Sequence, residues 1–370
     1  AHVALASRLP RPGVRRMEAG LEQGSFGMVS PSFGAMLPLG GRGAVGLNGR
    51  FLYGTNDYPY TLRNVSLVTR ERRHGSRMQA GRAEADHLME LSGGQWHSKL
   101  VYDESHRRLP GQVTLYTARA TERLTERQAA AQTMWRQEAR GVALMAGARY
   151  AWQESRYADL RAEYPGGALR ENYRQRQAYA TAGAALTRGR VEGALAVDYG
   201  HDVLASNLAD AGRVRRDALL QSLSLRGRFF GRRPLTLTLR GLAHLCVEQP
   251  PAGQRRLYRR LTPALTAVWR AVERPHAALA LRASAQELFR LPSFTEAYYR
   301  HLGDTGLRPE LTRQAAAGLT LQLGRRAGDA AGLWELSVDA YAARVDDKIV
   351  SVPYNLFVWR TCLLYTSDAA

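Results

Sequence analysis

The chain has 370 residues, 45% hydrophobic and 23% charged, with 52 Lys and Arg against 33 Asp and Glu and a formal net charge of +19. That hydrophobic fraction excludes disorder throughout, and no window approaches the roughly 18 consecutive apolar residues of a membrane helix. The best candidate, Gly141 to Trp152, is short and contains Arg149.

The charge invites a phosphate-binding reading, because basic proteins attract polyanions without regard to sequence. Lys occurs only at Lys99 and Lys348, however, and the basic pairs such as Arg15-Arg16, Arg107-Arg108 and Arg255-Arg256 are scattered. Neither a dense basic tail nor a single basic helix is present, so nucleic acid is not expected as a partner. Cys246 and Cys362 are too few for a disulfide framework and sit in no metal-ligand spacing. Size alone would allow two or three domains.

In chain order, the first tight connection is Gly40-Gly41-Arg42, and a long polar stretch runs from Thr55 to Gly75. A second runs from Asp103 to Thr125, and the Ala-rich segment Ala129 to Gln137 is read as a strand of small residues. After the polar stretch Gln153 to Arg174 and the turn Arg188-Gly189-Arg190, Val191, Leu195, Val197 and Tyr199 alternate with Glu192 and Asp198. Another polar stretch, Gly200 to Arg216, precedes Leu219, Leu223, Leu225 and Phe229 at odd positions. Past Gly231 to Pro234, Leu235, Leu237 and Leu239 alternate with Thr236, Thr238 and Arg240. Beyond Glu273-Arg274-Pro275 come Leu279 and Leu281, the polar stretch Leu288 to Thr312, and a second small-residue strand, Leu311 to Ala317. Leu319, Leu321 and Leu323, then Trp334, Leu336 and Val338, close the pattern.

Alternation of period two places one residue set on each face of a sheet, so the chain is expected to be all-β. Strands of about 10–13 residues, tilted near 40°, span roughly 25–33 Å, the depth of an outer membrane. Short turns at one end and long loops at the other complete the expectation of an antiparallel transmembrane β-barrel. The competing arrangement, a soluble sandwich or propeller, predicts a blade repeat of about 40–50 residues that is not found.

From Phe289 the sequence reads FRLPSFTEAYYRHLGDTGLRPELT. Phe289, Arg290, Pro292, Glu296, Tyr298, Gly303, Asp304, Leu307, Arg308, Pro309 and Glu310 match a hallmark segment of TonB-dependent outer-membrane receptors. Gly24-Ser25-Phe26-Gly27, Leu109-Pro110-Gly111 and Arg344-Val345-Asp346-Asp347-Lys348-Ile349 agree as well. Over residues 14–360 the chain resembles that family, most closely its vitamin B12 and siderophore type. The resemblance implies a barrel of about 22 strands behind an N-terminal plug that recruits the TonB complex. About fifteen or sixteen strands are expected here, without plug or closing strands: residues 1–13 as a remnant preceding the barrel, 14–360 as a partial barrel and 361–370 as a non-native tail.

The hallmark residues are expected to act structurally at the strand mouths. Leu291-Pro292 and Arg308-Pro309 disfavour helix and set an extended course, while Arg290, Glu296, Arg308 and Glu310 pair with one another or with the inner wall. Ligand contacts are expected from long loops held by the scaffold: Tyr58, Tyr60, Arg72 and Arg73 in one, Tyr157, Tyr164 and Tyr173 in another. Aromatic–Arg clusters combine stacking with charge-assisted hydrogen bonds, which suits large polar chelates; membrane-interface girdles are the other use of such tyrosines.

Catalytic motifs fail. Gly41-Arg42-Gly43-Ala44-Val45-Gly46 has dinucleotide spacing but leads into a strand pattern, the His residues form no H-x-x-x-H, and no nucleophile elbow or Walker sequence occurs. The expectation is a non-enzymatic receptor of the bacterial outer membrane, without cofactor or resident metal, importing a ferric siderophore or a cobalamin-like ligand. Its other partners are outer-membrane lipid and lipopolysaccharide. A passive porin or surface adhesin on the same barrel is the alternative, and a soluble basic binding protein the third.

Overall fold

A computed structural model describes residues 9–64, 67–110, 121–160, 167–208, 212–300, 302–324, 334–353, 359–364 and 367–369. Strands occupy β1 (Arg16–Gly24), β2 (Met28–Leu39), β3 (Gly43–Gly54), β4 (Pro59–Asn64), β5 (Leu67–Arg72), β6 (Met78–Leu91) and β7 (Gly94–Leu109). They continue as β8 (Glu122–Ala139), β9 (Val142–Asp159), β10 (Leu169–Arg188), β11 (Val191–Ser206), β12 (Arg213–Phe229), β13 (Leu235–Gln249), β14 (Arg256–Arg274) and β15 (Ala277–Arg290). A short helix α1 (Phe294–Tyr298) leads to β16 (Glu310–Leu323), β17 (Trp334–Asp346), β18 (Lys348–Pro353), β19 (Trp359–Leu364) and β20 (Ser367–Ala369).

One 16-stranded sheet, β1-β2-β3-β6 through β17-β20, carries the architecture; β4-β5 and β18-β19 form separate hairpins. Every long pair is antiparallel between chain neighbours, apart from β3–β6, which the β4-β5 hairpin interrupts. The all-β reading and the strand count both hold. The two Ala-rich segments are strands, lying within β8 and β16.

Register turns the period-two pattern into two chemically distinct faces. Leu195 lies opposite Leu223, Leu225 opposite Leu239, and Leu239 opposite Leu265, so one face presents leucine across β11 to β14. The same face carries Phe33, Leu47, Leu100, Tyr150 and Val338, all exposed. Its apolar stretch on β12, from Leu219 to Phe229, covers roughly 33 Å of strand, or about 25 Å of height at a tilt near 40°. Trp96, Trp269 and Trp334 mark its tight-turn end. The opposite face is polar: Arg282 there binds Asp339 at 2.6 and 2.8 Å, and Lys99 binds Glu84 at 2.7 Å.

Tight turns sit where the sequence placed them, between β2 and β3, β10 and β11, β12 and β13, and β14 and β15. The turn joining β8 and β9 puts two successive residues at positive φ, Arg140 at 51° and Gly141 at 79°, the geometry that matches strand twist in a two-residue hairpin.

Three expectations are corrected. Strands reach 14–20 residues over β6–β16, beyond the expected 10–13. The polar stretches 153–174 and 200–216 therefore belong largely to strands, because main-chain pairing continues after the side chains turn charged, whereas 288–312 lies mostly between β15 and β16. Within Thr55–Gly75 the chain folds back as the β4-β5 hairpin. Finally, the segment after Pro292 is helical rather than extended: Pro292 precedes α1, where it restricts no helical residue, and Ser293 starts the helix. Residues 359–364 pair with β18, and 367–369 with β17.

Candidate functional site: the folded strap between β15 and β16

The segment from Arg290 to Glu310 lies at the end of the sheet away from the tight turns. Ser293 opens α1 with a capping box: its hydroxyl accepts from the Glu296 N–H at 3.2 Å, and the Glu296 carboxylate accepts from the Ser293 N–H at 2.8 Å. Such reciprocal capping satisfies two amides that a helix start leaves open. Arg290 closes on both oxygens of Glu296 at 2.9 and 3.0 Å and reaches Glu310 at 3.3 Å. Glu310 also accepts from the Ile349 N–H at 3.0 Å, and Arg308 pairs with Asp347. The four hallmark charges thus tie α1 to β16 and to the β17–β18 junction.

Burial opposes ionisation of Glu296, but the Ser293 backbone N–H and the Arg290 guanidinium outweigh it and hold the carboxyl below its ordinary value. A depressed carboxyl contributes stability that is present above its unfolded pKa, about 4.3, and lost as pH falls through the lower folded value. Protection of residues 293–299 against hydrogen exchange, taken relative to the intrinsic amide rate at each pH, is therefore expected to fall on acidification below about pH 4, with the Glu296→Gln variant already weakly protected at neutral pH. An unchanged profile would show that the capping box, not charge, holds the helix.

The apolar side of α1 packs on the polar face of the sheet. Phe294, Ala297 and Tyr298 are buried with Tyr173, Leu204 and Val214 from β10, β11 and β12. Burying each large side chain stabilises the dock by about 1.5–3 kcal/mol. Beneath them lies a polar knot. Glu248, 3% exposed, accepts from the Tyr298 hydroxyl at 2.6 Å and the Arg216 Nε at 2.8 Å. Arg216 donates further to the Pro292 carbonyl at 2.8 Å and lies 4.7 Å over the Phe294 ring. Burial, reinforced by the Glu248 carboxylate, pushes the Tyr298 hydroxyl far above its ordinary pKa, so it stays a donor.

After α1 the chain turns tightly. The Gly303 N–H donates to the Tyr299 carbonyl at 2.6 Å, the Asp304 N–H to the Glu296 carbonyl at 2.9 Å, and the Gly306 N–H to the Asp304 carboxylate at 2.7 Å. A Cβ at Gly303 would stand 2.6 Å from the Tyr299 oxygen and 2.8 Å from the Tyr298 nitrogen, both backbone. Gly303→Ala is therefore expected to destabilise the folded chain by about 1–3 kcal/mol, the usual cost of overpacking; urea unfolding in detergent measures it. Leu307 is buried at the end of this turn, and Pro309 leads into β16.

The expected ligand residues divide. Tyr58, Tyr60, Arg72 and Arg73 share the β4-β5 region; Tyr58 is exposed, its ring 6.0 Å from Phe26, and Arg72 donates to the Asp57 carbonyl at 3.1 Å. Tyr157 and Tyr173 are not on a loop but on β9 and β10, near neighbours in register. Tyr173 is 4% exposed and stacked on Tyr299 at 3.8 Å, and its hydroxyl accepts from the Arg300 N–H at 3.0 Å. It is a platform for the strap rather than an open ligand contact. Tyr164 lies outside the described residues. No contact joins the Tyr58 and Tyr173 groups among the described residues.

Sequence reasoning missed Phe294, Tyr299, Arg216 and Glu248. The Ser293-x-x-Glu296 spacing and the apolar Phe294 and Ala297 carried a legible helix signal. Arg216 and Glu248 lie 76 and 50 residues from their strap partners and carried none. Among the described residues, no group of three His, Cys, Asp or Glu is placed to hold a metal ion.

No curated protein sequence matches the chain. Among solved structures it resembles the copper transporter OprC, with a TM-score of 0.69 at 14% identity over 96% of this chain and 57% of that one. It also resembles the hemophore receptor HasR of Serratia marcescens, TM-score 0.65 at 13% identity over 96% and 60%. The FrpB iron transporter of Neisseria meningitidis gives 0.68 at 14% over 95% and 56%. At these identities the likeness is one of fold, and the chain spans little over half the length of each. The family model described as TonB dependent receptor-like, beta-barrel, matches residues 33–359. With its apolar and polar faces and its hallmark strap, the chain belongs to the β-barrel family of TonB-dependent receptors of the bacterial outer membrane.

Proposed function

We propose that this barrel serves an importer of a scarce metal chelate, drawing on the TonB complex for energy. The observation that carries the reading is the continuous antiparallel sheet with opposed apolar and polar faces, matched to the receptor family over residues 33–359. The similar structures named above transport copper or iron or receive a heme-bearing hemophore, which favours a metal chelate over a cobalamin-like ligand. External loops, including the Tyr58–Arg73 region, would capture the chelate, the polar face would line its passage, and a plug would gate it. The strap between β15 and β16 would hold the mouth in shape by tying β10 to β13 through one buried knot.

The test uses the complete gene expressed in cells starved of iron, with a panel of radiolabelled ferric siderophores, ferric citrate and labelled cobalamin. Uptake of one iron chelate, abolished when the energy-transducing complex is deleted, is the expected result. Uptake that persists in the deletion strain would favour the passive-porin reading, and uptake of cobalamin alone would replace the chelate.

A further inference from the structure

The outer ends of β8, β9 and β10 sort their charges by face with little mixing. On the face that bears the apolar band, Arg123 and Arg127 stand on β8, Arg156 on β9, and Arg170, Arg174 and Arg176 on β10, with Glu154 the sole carboxylate there. The opposite face of the same stretches carries Glu122, Glu126, Asp159 and Glu171 and no arginine. Alternation over period two produces this partition; a solvated loop would have no reason to keep it.

Five of these arginines stand directly above the membrane band, and Arg176 lies level with Trp152 at its edge. Arg127 lies opposite Glu154, and Glu154 opposite Arg174, one row beyond the row of Tyr102, Ala129 and Trp152. That step is two residues, roughly 7 Å along the strand. Arg174 and Arg156 share Glu154 at 2.7 and 2.8 Å, and Arg127 reaches Glu104 of β7 at 2.8 Å. With Arg108 of β7, opposite Arg123 on the same face, seven arginines less these two carboxylates leave a surplus of five positive charges. Immediately below, an open groove of about 610 Å³ runs over a floor that includes Ala83, Ala85, Ala129 and Ala131, between the rings of Tyr102 and Tyr150. Small residues at facing positions leave room that acyl chains fill, and clustered guanidiniums bind phosphate bidentately.

We infer that β7–β10 form a binding site for a phosphorylated glycolipid of the outer leaflet, its phosphates held by Arg127, Arg156 and Arg174 and one acyl chain lying in the alanine-floored groove. Charge complementarity selects the headgroup, and the continuous apolar groove selects an amphiphile over a soluble anion. The inference rests on the membrane placement of the barrel but not on the identity of the imported ligand. Bound lipid would brace β8–β10, on which the strap also rests through Tyr173.

Native mass spectrometry of the chain extracted in mild detergent tests it. The probes are a bis-phosphorylated, multiply acylated glycolipid, its dephosphorylated form, phosphatidylethanolamine and inorganic phosphate. The phosphorylated glycolipid is expected to remain bound, with retention about ten-fold weaker for the dephosphorylated form or the R156Q/R174Q variant, the effect of losing one or two charge-assisted pairs. Ala131→Trp, which fills the groove, is expected to weaken retention with the arginines intact, while Arg226→Gln on the polar face changes nothing. If the double variant fails to fold, Ala131→Trp and the dephosphorylated lipid carry the test. Equal retention of both glycolipid forms, or displacement by inorganic phosphate alone, would overturn the proposal. A chain found soluble without detergent would instead sink the membrane reading beneath it.

Discussion

Replacing Glu248 by alanine is expected to destabilise the folded chain by about 3–5 kcal/mol, the cost of leaving a buried partner charge uncompensated. Glu248 accepts hydrogen bonds from Tyr298 and Arg216, and the Arg216 side chain is only 13% exposed. With the carboxylate gone, Arg216 keeps the Pro292 carbonyl as an acceptor, and the Tyr298 hydroxyl loses Glu248. Urea unfolding of the chain folded in detergent gives the change in free energy, and hydrogen exchange at 293–299 localises it to α1. The double variant Glu248→Leu with Arg216→Met removes both charges and is expected to recover part of the loss, since apolar replacement of a buried pair is often neutral or better. A shift below about 1 kcal/mol for Glu248→Ala, the range of exposed pairs, would mean that water reaches Arg216 and that the knot does not hold the strap.

The second large effect separates the two faces of the sheet. Leu223 is 49% exposed on the apolar face, opposite Leu195 and Gly241, and its neighbour Ser224 points to the polar face. Leu223→Arg is expected to cost about 2–4 kcal/mol in a bilayer, the penalty for a cation near the midplane of a barrel's lipid face. Ser224→Arg, one residue away, is expected to change stability little, because the polar face already carries Arg226, Arg228 and Arg240 nearby. Folding titrations in lipid vesicles compare the two. Equal penalties would contradict the assignment of faces from register, and with it the lipid site proposed above β8–β10.

Much of this arrangement was legible in the sequence because its signal is local. Leu219, Leu223, Leu225 and Phe229 recur at odd positions, and each side chain's face follows from its own strand without knowledge of any partner. The tight turn at Arg188-Gly189-Arg190 was legible for the same reason: Gly189 adopts a φ of 61°, which costs glycine little. The strap was partly legible. Arg290, Glu296 and Glu310 stand close in sequence and do meet, and Pro309 runs into β16, whereas Pro292 misled because proline restricts its predecessor and not a helix that begins after it.

The residues that the sequence could not assign are those whose neighbours come from register between strands. Tyr173 read as a loop tyrosine because Arg170, Glu171 and Arg174 surround it, yet it is buried beneath Tyr299, 126 residues on. Arg216 and Glu248 looked like two more charges at strand ends until antiparallel pairing of β12 with β13 set them directly opposite. The opening charge of +19 has the same history. Composition determined only that the chain is basic, and the pattern determined that it is a sheet with one apolar face. Which face of β8–β10 each arginine occupies was already implicit in period two. Only the assembled sheet brought Arg127, Arg156 and Arg174 together, because three strands must be hydrogen-bonded in register before residues 18 to 47 positions apart can share one patch.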